Sequence, residues 1–93
     1  MIKRYANKLT QQAAEGKFPK KLPNTLKTCA LMRLIQLDNA TSIDDLRRPP
    51  SNRLEKLAGN RQEQYSIRIN QQWRICFEFE NGHAFNVEII DYH

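Results

Sequence analysis

Polar residues that alternate with apolar ones in the second half of the chain could bind a phosphate group. Strict alternation places Ser66, Arg68 and Arg74 on one face of a sheet, opposite the face that would pack on the core. An arginine offers fixed donors that match a phosphate, and it can hold charge developing on phosphorus without a metal ion. Alternatively, the two arginines only solvate an exposed sheet face or pair with Glu78 and Glu88.

One carboxylate and the end of the sequence could supply acid–base chemistry. Glu55 lies between Arg53 and Lys56, and a carboxylate among cations stays ionised and can take a proton from a ribose 2′-hydroxyl. A surface ion pair is the more ordinary role for such a residue. Tyr92 and His93 follow the last apolar strand and could donate a proton or stack on a base. Tyr92 could instead cap the sheet edge.

Other enzyme chemistries find no support in the residue pattern. The sequence has no glycine-rich phosphate loop and no nucleophile elbow. His83 is remote in sequence from any second metal ligand, so we expect an exposed turn residue, no metal and no cofactor. Cys29 and Cys76 lie far apart in apolar surroundings, which predicts reduced core residues. A disulfide between them is the disfavoured alternative.

Length and charge indicate one small domain with a negatively charged partner. The 93 residues suit a single domain, residues 1–93. The net charge of +5 is concentrated in residues 1–48, which carry ten Lys and Arg against four Asp and Glu. Such an excess favours nucleic-acid binding, although many small basic domains bind none. Because the sequence has no apolar signal segment and no membrane-length apolar stretch, we expect a soluble cytoplasmic protein without membrane contact.

Apolar spacing in the first half of the chain predicts helices. Residues 2–5 could form a short strand, after which Asn7 could cap a helix that ends near Gly16. The strongest helix is expected over residues 26–37, and a short helical turn over residues 43–46. The predicted apolar stripe of the strongest helix contains Leu26, Cys29, Ala30, Met32, Leu34, Ile35 and Leu37.

In the second half the apolar period changes to two, which predicts strands. Residues 53–57 form a first strand, and three longer strands follow as an antiparallel meander with Phe85 and Val87 both facing the core. Helices followed by antiparallel strands predict an α+β fold, with N-terminal helices packed on a small, mostly antiparallel sheet. The alternating segments are residues 65–69, 73–79 and 85–89.

Several motifs in the chain resemble those of one toxin family. Residues 52–79, NRLEKLAGNRQEQYSIRINQQWRICFEF, and residues 86–93, NVEIIDYH, look like HigB toxins of the RelE superfamily. The anchors are the RLExLxG turn, SIRIN, QWRICF and the terminal DYH. The first half, including ATSIDDLRRPPSNRLE, is similar to the HigB branch that includes GraT-like toxins. The resemblance therefore spans essentially the whole chain and implies a RelE-like fold.

The resemblance implies an activity and a set of partners. HigB toxins enter the ribosomal A site and cut mRNA with the RNA's own 2′-hydroxyl as nucleophile, which leaves a 2′,3′-cyclic phosphate and needs no cofactor. The partner implied is a HigA-type antitoxin with a helix-turn-helix. Operator DNA would then be bound only through the toxin–antitoxin complex.

Position by position, the resemblance also implies roles for individual residues. Arg74 matches the arginine of the family's WR motif, which stabilises the transition state. Tyr92 and His93 match the C-terminal pair linked to leaving-group protonation and base stacking. Glu55 lies where many HigB proteins carry histidine, yet it coincides with the glutamate that acts as general base in YoeB toxins. Tyr65 is expected in the core.

One position departs from the family pattern. Ala58 stands where the family usually has lysine in a Leu-Lys-Gly turn, and the lost charge could weaken phosphate binding or lower activity. Lys56, two residues earlier, could compensate. Arg53, Arg61 and Arg68 could hold the RNA backbone, although similar residues also serve the fold.

Two other functions fit the same scaffold. ParE-like toxins poison gyrase without the nuclease residues, and Arg74 with Tyr92 and His93 argues against that function. A non-catalytic RNA-binding or ribosome-binding protein would use only the basic charge, and the Ala58 departure favours this alternative slightly.

Overall fold

Helices occupy the first half of the chain and strands the second, as the change in apolar period predicts. The computed structural model describes residues 1–59 and 63–91. Their helices and strands are α1 Lys8–Ala14, α2 Lys27–Asn39, α3 Ile43–Arg47, β1 Glu55–Lys56, β2 Tyr65–Arg68, β3 Trp73–Glu80 and β4 His83–Asp91, with 3-10 turns at Asn24–Leu26 and Pro50–Asn52.

The four strands form one antiparallel sheet in the order β1-β2-β3-β4. The predicted meander is confirmed, and the strand expected over residues 53–57 is shorter, with two residues in β1. Asn81 and Gly82 join β3 to β4 with positive φ angles of 52° and 81°, as a tight hairpin turn requires. A side chain at Gly82 would also meet the Thr41 carbonyl oxygen at 3.2 Å. His83 begins β4 and is half-buried, so its prediction as an exposed turn residue is wrong.

The two faces of the sheet have different environments. The core face carries Ile67, Ile75 and Phe77, which are fully buried and pack with the helices. The outer face carries the residues that alternate with them, among them Ser66 and Arg74, which are also buried. The predicted separation of the polar residues from the core is therefore confirmed for β2 and for the first half of β3.

A β-bulge near Asn86 breaks the predicted alternation in β4. The register shifts between Cys76 and Glu78, and Asn86 adopts a left-handed conformation with φ 52°. One extra residue in a strand reverses the faces of the residues beyond it. Phe85 therefore pairs with the outer-face Glu78, while Ala84 is fully buried in the core. The prediction that Phe85 faces the core is wrong for this reason.

Helix α1 forms as its capping residue predicts and closes the edge of the sheet. The Asn7 side chain accepts a hydrogen bond from the Thr10 backbone N–H at 2.9 Å, and Gly16 follows the helix with φ 88°. Thr10 is fully buried, and its hydroxyl accepts the Ile89 backbone N–H at 3.0 Å. This bond satisfies a donor on β4 that has no strand beside it, so α1 is tied directly to the sheet.

Helix α2 buries a narrower stripe than its sequence predicts. Ala30, Leu34 and Leu37 are buried, as expected. At 100° per residue, Met32 and Ile35 lie roughly 165° and 135° around the helix from the centre of that stripe, and no second layer covers them in the described part of the chain. The predicted stripe residues that are exposed instead are Cys29, Met32 and Ile35. Of the two cysteines predicted to be buried, only Cys76 is buried, and Cys29 is exposed.

Residues 2–5 lie beside β4 without forming a regular strand. Ile2 and Tyr5 make isolated parallel bridges to Ala84 and Val87, so the predicted strand is present only as this short pairing. Burial raises the pKa of the Tyr5 phenol, and the nearby carboxylates of Asp38 and Glu15 raise it further.

Helix α3 begins after its N-cap residue, Ser42. The Asp45 carboxylate accepts hydrogen bonds from the Thr41 backbone N–H at 2.9 Å and from the Thr41 hydroxyl at 3.0 Å. These bonds, made mainly to the charged form, lower the pKa of Asp45. The helix then ends before Pro49, which cannot continue it.

We predict that Thr10→Val lowers the free energy of unfolding by about 1–3 kcal/mol, because the Ile89 N–H would be buried without an acceptor. Chemical denaturation measures this. Thr28→Val, at an exposed position of α2, is the matched control and should change stability by less than about 0.5 kcal/mol. Equal effects of the two substitutions would contradict the assigned role of the Thr10 hydroxyl.

Candidate active site

Arg74 is held inside the sheet near the start of β3. It is 7% exposed, and hydrogen bonds to Ser66 and Arg53 fix its guanidinium. Nε donates to the Ser66 hydroxyl at 2.8 Å. One terminal nitrogen, Nη2, donates to the Ser66 carbonyl at 3.3 Å and also to the Arg53 carbonyl. The alternative in which Arg74 only solvates an exposed face is therefore wrong.

The Arg53 carbonyl reaches Arg74 because the chain turns sharply before β1. The 3-10 turn Pro50–Asn52 ends at Arg53, which adopts a left-handed conformation with φ 44° and ψ 55°. Asn52 is fully buried and donates to the Leu46 carbonyl at 3.1 Å, which fixes the turn against α3. A left-handed conformation is costly for a residue with a side chain. The turn is therefore held by its surroundings, and it brings a carbonyl oxygen to the guanidinium.

Glu55 lies beside the other terminal nitrogen of Arg74. Its Oε1 is 3.7 Å from Arg74 Nη1, and its Cα partner in the sheet is Ser66. The Glu55 side chain is 54% exposed whereas the Arg74 side chain is 8% exposed. The structure thus brings a buried cation and an accessible carboxylate together on the outer face.

Arg68 is the direct cross-strand partner of Arg74, but its contacts are different. Its Nε donates to the Asn70 carbonyl at 3.0 Å, at the β2–β3 turn. Arg33 of α2 donates to the Arg68 carbonyl at 3.0 Å and so anchors the end of β2. Arg68 is half-buried at the rim of the outer face, next to the Arg74 site.

The other predicted residues of this region are not all on the same side. Lys56 pairs with Tyr65, so its register places it on the face opposite Glu55, and it is exposed. Tyr65 packs against the core and stacks on Phe77 at a centroid distance of 6.2 Å, as predicted. Ala58 is exposed. Lys56 and Arg74 therefore lie on opposite faces of the sheet.

Three predicted site residues, Arg61, Tyr92 and His93, lie outside the described residues. The last described residue is Asp91, whose Cα partner is Trp73 and whose carboxylate accepts from the Gln72 amide at 3.1 Å. Ile90, the residue before it, is the cross-strand partner of Arg74. The end of β4 is therefore next to the Arg74 site.

Sequence reasoning placed Ser66 on the outer face but did not assign it a role, and it missed the Arg53 carbonyl. A backbone oxygen leaves no signature in residue types, so only the fold could show it. Among residues 1–59 and 63–91, no group of three or more His, Cys, Asp or Glu residues could hold a metal ion. No helix in these ranges is long and apolar enough to cross a bilayer.

The arrangement can bind and stabilise an anion next to a proton acceptor. A guanidinium fixed in advance stabilises developing negative charge without reorganising, and it acts more strongly where water is excluded. The half-exposed carboxylate can accept a proton from a group held against the outer face. Phosphate chemistry that uses an internal hydroxyl nucleophile requires these two functions.

We predict that substitution of Arg74 lowers the stability of the fold and that substitution of Glu55 hardly changes it. Arg74→Ala leaves the Arg53 and Ser66 oxygen atoms without this donor and should cost about 1–3 kcal/mol. Glu55→Gln removes a half-exposed ion pair and should change the free energy of unfolding by less than about 0.5 kcal/mol. Urea titration of both variants measures the difference, and a large loss in Glu55→Gln would show that the carboxylate is mainly structural.

Comparison with known structures identifies the fold. The YoeB–YefM complex from Staphylococcus aureus superposes with a TM-score of 0.63 at 16% identity, covering 100% of this chain and 98% of that one. YafQ from Escherichia coli superposes with a TM-score of 0.59 at 11% identity, covering 98% and 93%. The α+β architecture is therefore the RelE-like fold.

Sequence comparison identifies the family. The model of the RelE-like toxin of type II toxin-antitoxin system HigB matches residues 3–93. Toxin HigB-1 of Vibrio cholerae is 37% identical over 78 residues, 84% of this chain and 82% of that protein. Endoribonuclease HigB of Proteus vulgaris is 41% identical over 61 residues, 66% of this chain and 65% of that protein. The chain therefore belongs to the HigB family of RelE-like toxins of type II toxin-antitoxin systems.

Proposed function

We propose that this protein is a metal-independent endoribonuclease that cuts mRNA in the ribosomal A site. The observation that carries the proposal is the buried Arg74 guanidinium with the accessible Glu55 carboxylate 3.7 Å away. The Proteus vulgaris relative is named an endoribonuclease, which supports the same reaction class. Positioning by the ribosome supplies the orientation that a small open site lacks, so free RNA is a poor substrate.

The proposed reaction uses the RNA's own 2′-hydroxyl. Glu55 accepts the 2′-hydroxyl proton as the 2′-oxygen attacks phosphorus. The bond from phosphorus to the 5′-oxygen breaks, a proton passes to that oxygen, and the products carry a 2′,3′-cyclic phosphate and a 5′-hydroxyl. Arg74 stabilises the negative charge on the phosphoryl oxygens in the transition state. By resemblance, Tyr92 and His93 protonate the leaving group and stack on the base.

The RNA backbone is proposed to cross the outer face. Arg53 is exposed just before β1, and Arg68 lies across from Arg74. These two residues, with Arg61 by resemblance, hold neighbouring phosphates. Lys56 belongs to the opposite side of β1 by register, so we propose that it contacts RNA or ribosome away from the scissile phosphate.

The proposed partner in the resting state is an antitoxin of the HigA type. Membership of a type II toxin-antitoxin family supports an antitoxin, and the Staphylococcus aureus structure is a YoeB–YefM complex. We propose that the toxin acts in the cytoplasm, where ribosomes and mRNA are present. It would reach operator DNA only as part of the complex with the antitoxin.

Primer-extension mapping of a translated mRNA on purified ribosomes tests the proposed function. Wild type should give A-site cuts, whereas Arg74→Ala should lower the cleavage rate about 10²–10³-fold and Glu55→Gln about 10²-fold or more. Arg47→Ala is the matched arginine control, because the Arg47 side chain is exposed and, among the described residues, is bonded to its near neighbour Asp44 alone. Circular dichroism confirms that each variant is folded.

Two results would contradict the proposal. If folded wild type makes no A-site cut, a gyrase inhibitor or a non-catalytic RNA-binding protein becomes the better account. If Arg74→Ala cuts at the wild-type rate, the site is elsewhere.

Metal dependence is tested separately by a phosphorothioate at the scissile position, since the ribosome itself needs Mg²⁺. Restoration of its cleavage by Mn²⁺ or Cd²⁺ would indicate a metal-bound phosphate and oppose the proposed mechanism.

A further inference from the structure

We infer that Ser66 is a positioning residue for Arg74. Its hydroxyl and carbonyl oxygens, together with the Arg53 carbonyl oxygen, are three neutral acceptors, which we call the cradle, that orient the guanidinium before cleavage. This inference rests on the proposed function. Ser66 is fully buried in the middle of β2, where its Cα partners are Glu55 on one side and Cys76 on the other. It contacts the guanidinium through both its hydroxyl and its carbonyl oxygen.

The bonds orient the guanidinium in one direction. Nε is bound at 2.8 Å to the Ser66 hydroxyl, and Nη2 is bound to the Ser66 and Arg53 carbonyl oxygens. With two of the three nitrogens fixed on β2 and the preceding turn, Nη1 is directed to Glu55. The planar fork of arginine makes this orientation rigid. A lysine at the same position would have a single nitrogen that the same oxygens could not orient.

The chemistry of these partners matters as much as their position. All three oxygen atoms are neutral, so they orient the guanidinium without cancelling its positive charge as a buried carboxylate would. A hydroxyl and two carbonyls also keep the same charge across the working pH range. The cradle therefore fixes the position of the positive charge before RNA binds without itself neutralising that charge, and a charge fixed in advance stabilises a transition state without reorganising.

The backbone contribution explains the unusual conformation of Arg53. Its φ of 44° is one of three positive φ angles at residues other than glycine in the described chain, and it directs the carbonyl oxygen to Nη2. Strained backbone that the surroundings hold in place is a known feature of functional sites. In this role the side chain of residue 53 is unimportant for the cradle, because only its carbonyl makes the bond.

The test compares Ser66→Ala with wild type in single-turnover cleavage of ribosome-bound mRNA. We expect the rate constant at saturation to fall about tenfold and the half-saturating concentration to stay within about twofold, because a hydrogen bond to a charged group is lost in the transition state but RNA contacts remain. Ser51→Ala is the matched control, since its exposed hydroxyl contacts only Arg33 among the described bonds. It should cleave as wild type does.

A double substitution separates positioning from a general structural effect. In an Arg74→Lys background there is no Nε–H for the Ser66 hydroxyl to accept, so adding Ser66→Ala should change the rate less than about twofold. An equal tenfold loss in both backgrounds would overturn the inference, as would wild-type cleavage by Ser66→Ala.

Hydrogen exchange of the Arg74 Nε–H, followed by NMR, gives a second readout that does not depend on activity. The signal is assigned by its loss in Arg74→Lys. In wild type it should exchange with water at least tenfold more slowly than the Nε–H of exposed Arg47, and Ser66→Ala should abolish that protection. Fast exchange in wild type would overturn the cradle. If wild type is protected yet cuts no mRNA, the proposed function fails and the cradle stands.

Discussion

The structure depends on how one buried cation is satisfied. Arg74 takes a charge into the sheet, which is costly unless every donor finds a partner. β2 supplies the two oxygens of Ser66, and the turn before β1 supplies the Arg53 carbonyl. That turn is itself held by Asn52, whose buried side chain donates to the Leu46 carbonyl near the end of α3. The short strand, the left-handed residue and the last helix are thus linked through a single guanidinium.

The two faces of the sheet differ in role, because one packs against the helices and the other carries the candidate active site. The helices pack on the core face and cover the sheet edge, where Thr10 satisfies the Ile89 N–H. The outer face carries the buried Arg74 beside the half-exposed Glu55, and it is the face that is proposed to contact ribosome-bound RNA. In the proposed function, the basic residues of the first half add long-range attraction to phosphate, while the Arg74 site provides the specific contacts.

The sequence predicted most of this architecture because its signals are local. The start of α1 follows from its capping residue, Asn7. The two faces of β2 and β3 follow from the alternation of side chains along a pleated strand. Phe85 was placed wrongly, since one bulged residue at Asn86 is invisible to an alternation rule. The cradle could not be predicted either, because it needs a backbone carbonyl brought close by a turn. The resemblance to HigB toxins, which comparison confirms, implied a role for Arg74 but not which groups hold it.

The central claim is that the positive charge of Arg74 stabilises the transferring phosphate. Chemical rescue tests it most directly: folded Arg74→Ala toxin is placed on mRNA-loaded ribosomes, and guanidinium ion is added at concentrations that leave the ribosomes intact. The account predicts that A-site cleavage returns in a saturable manner, and that urea, which has the same shape without the charge, restores none. Equal cleavage with guanidinium and urea, or no return of cleavage at any concentration, would contradict the account.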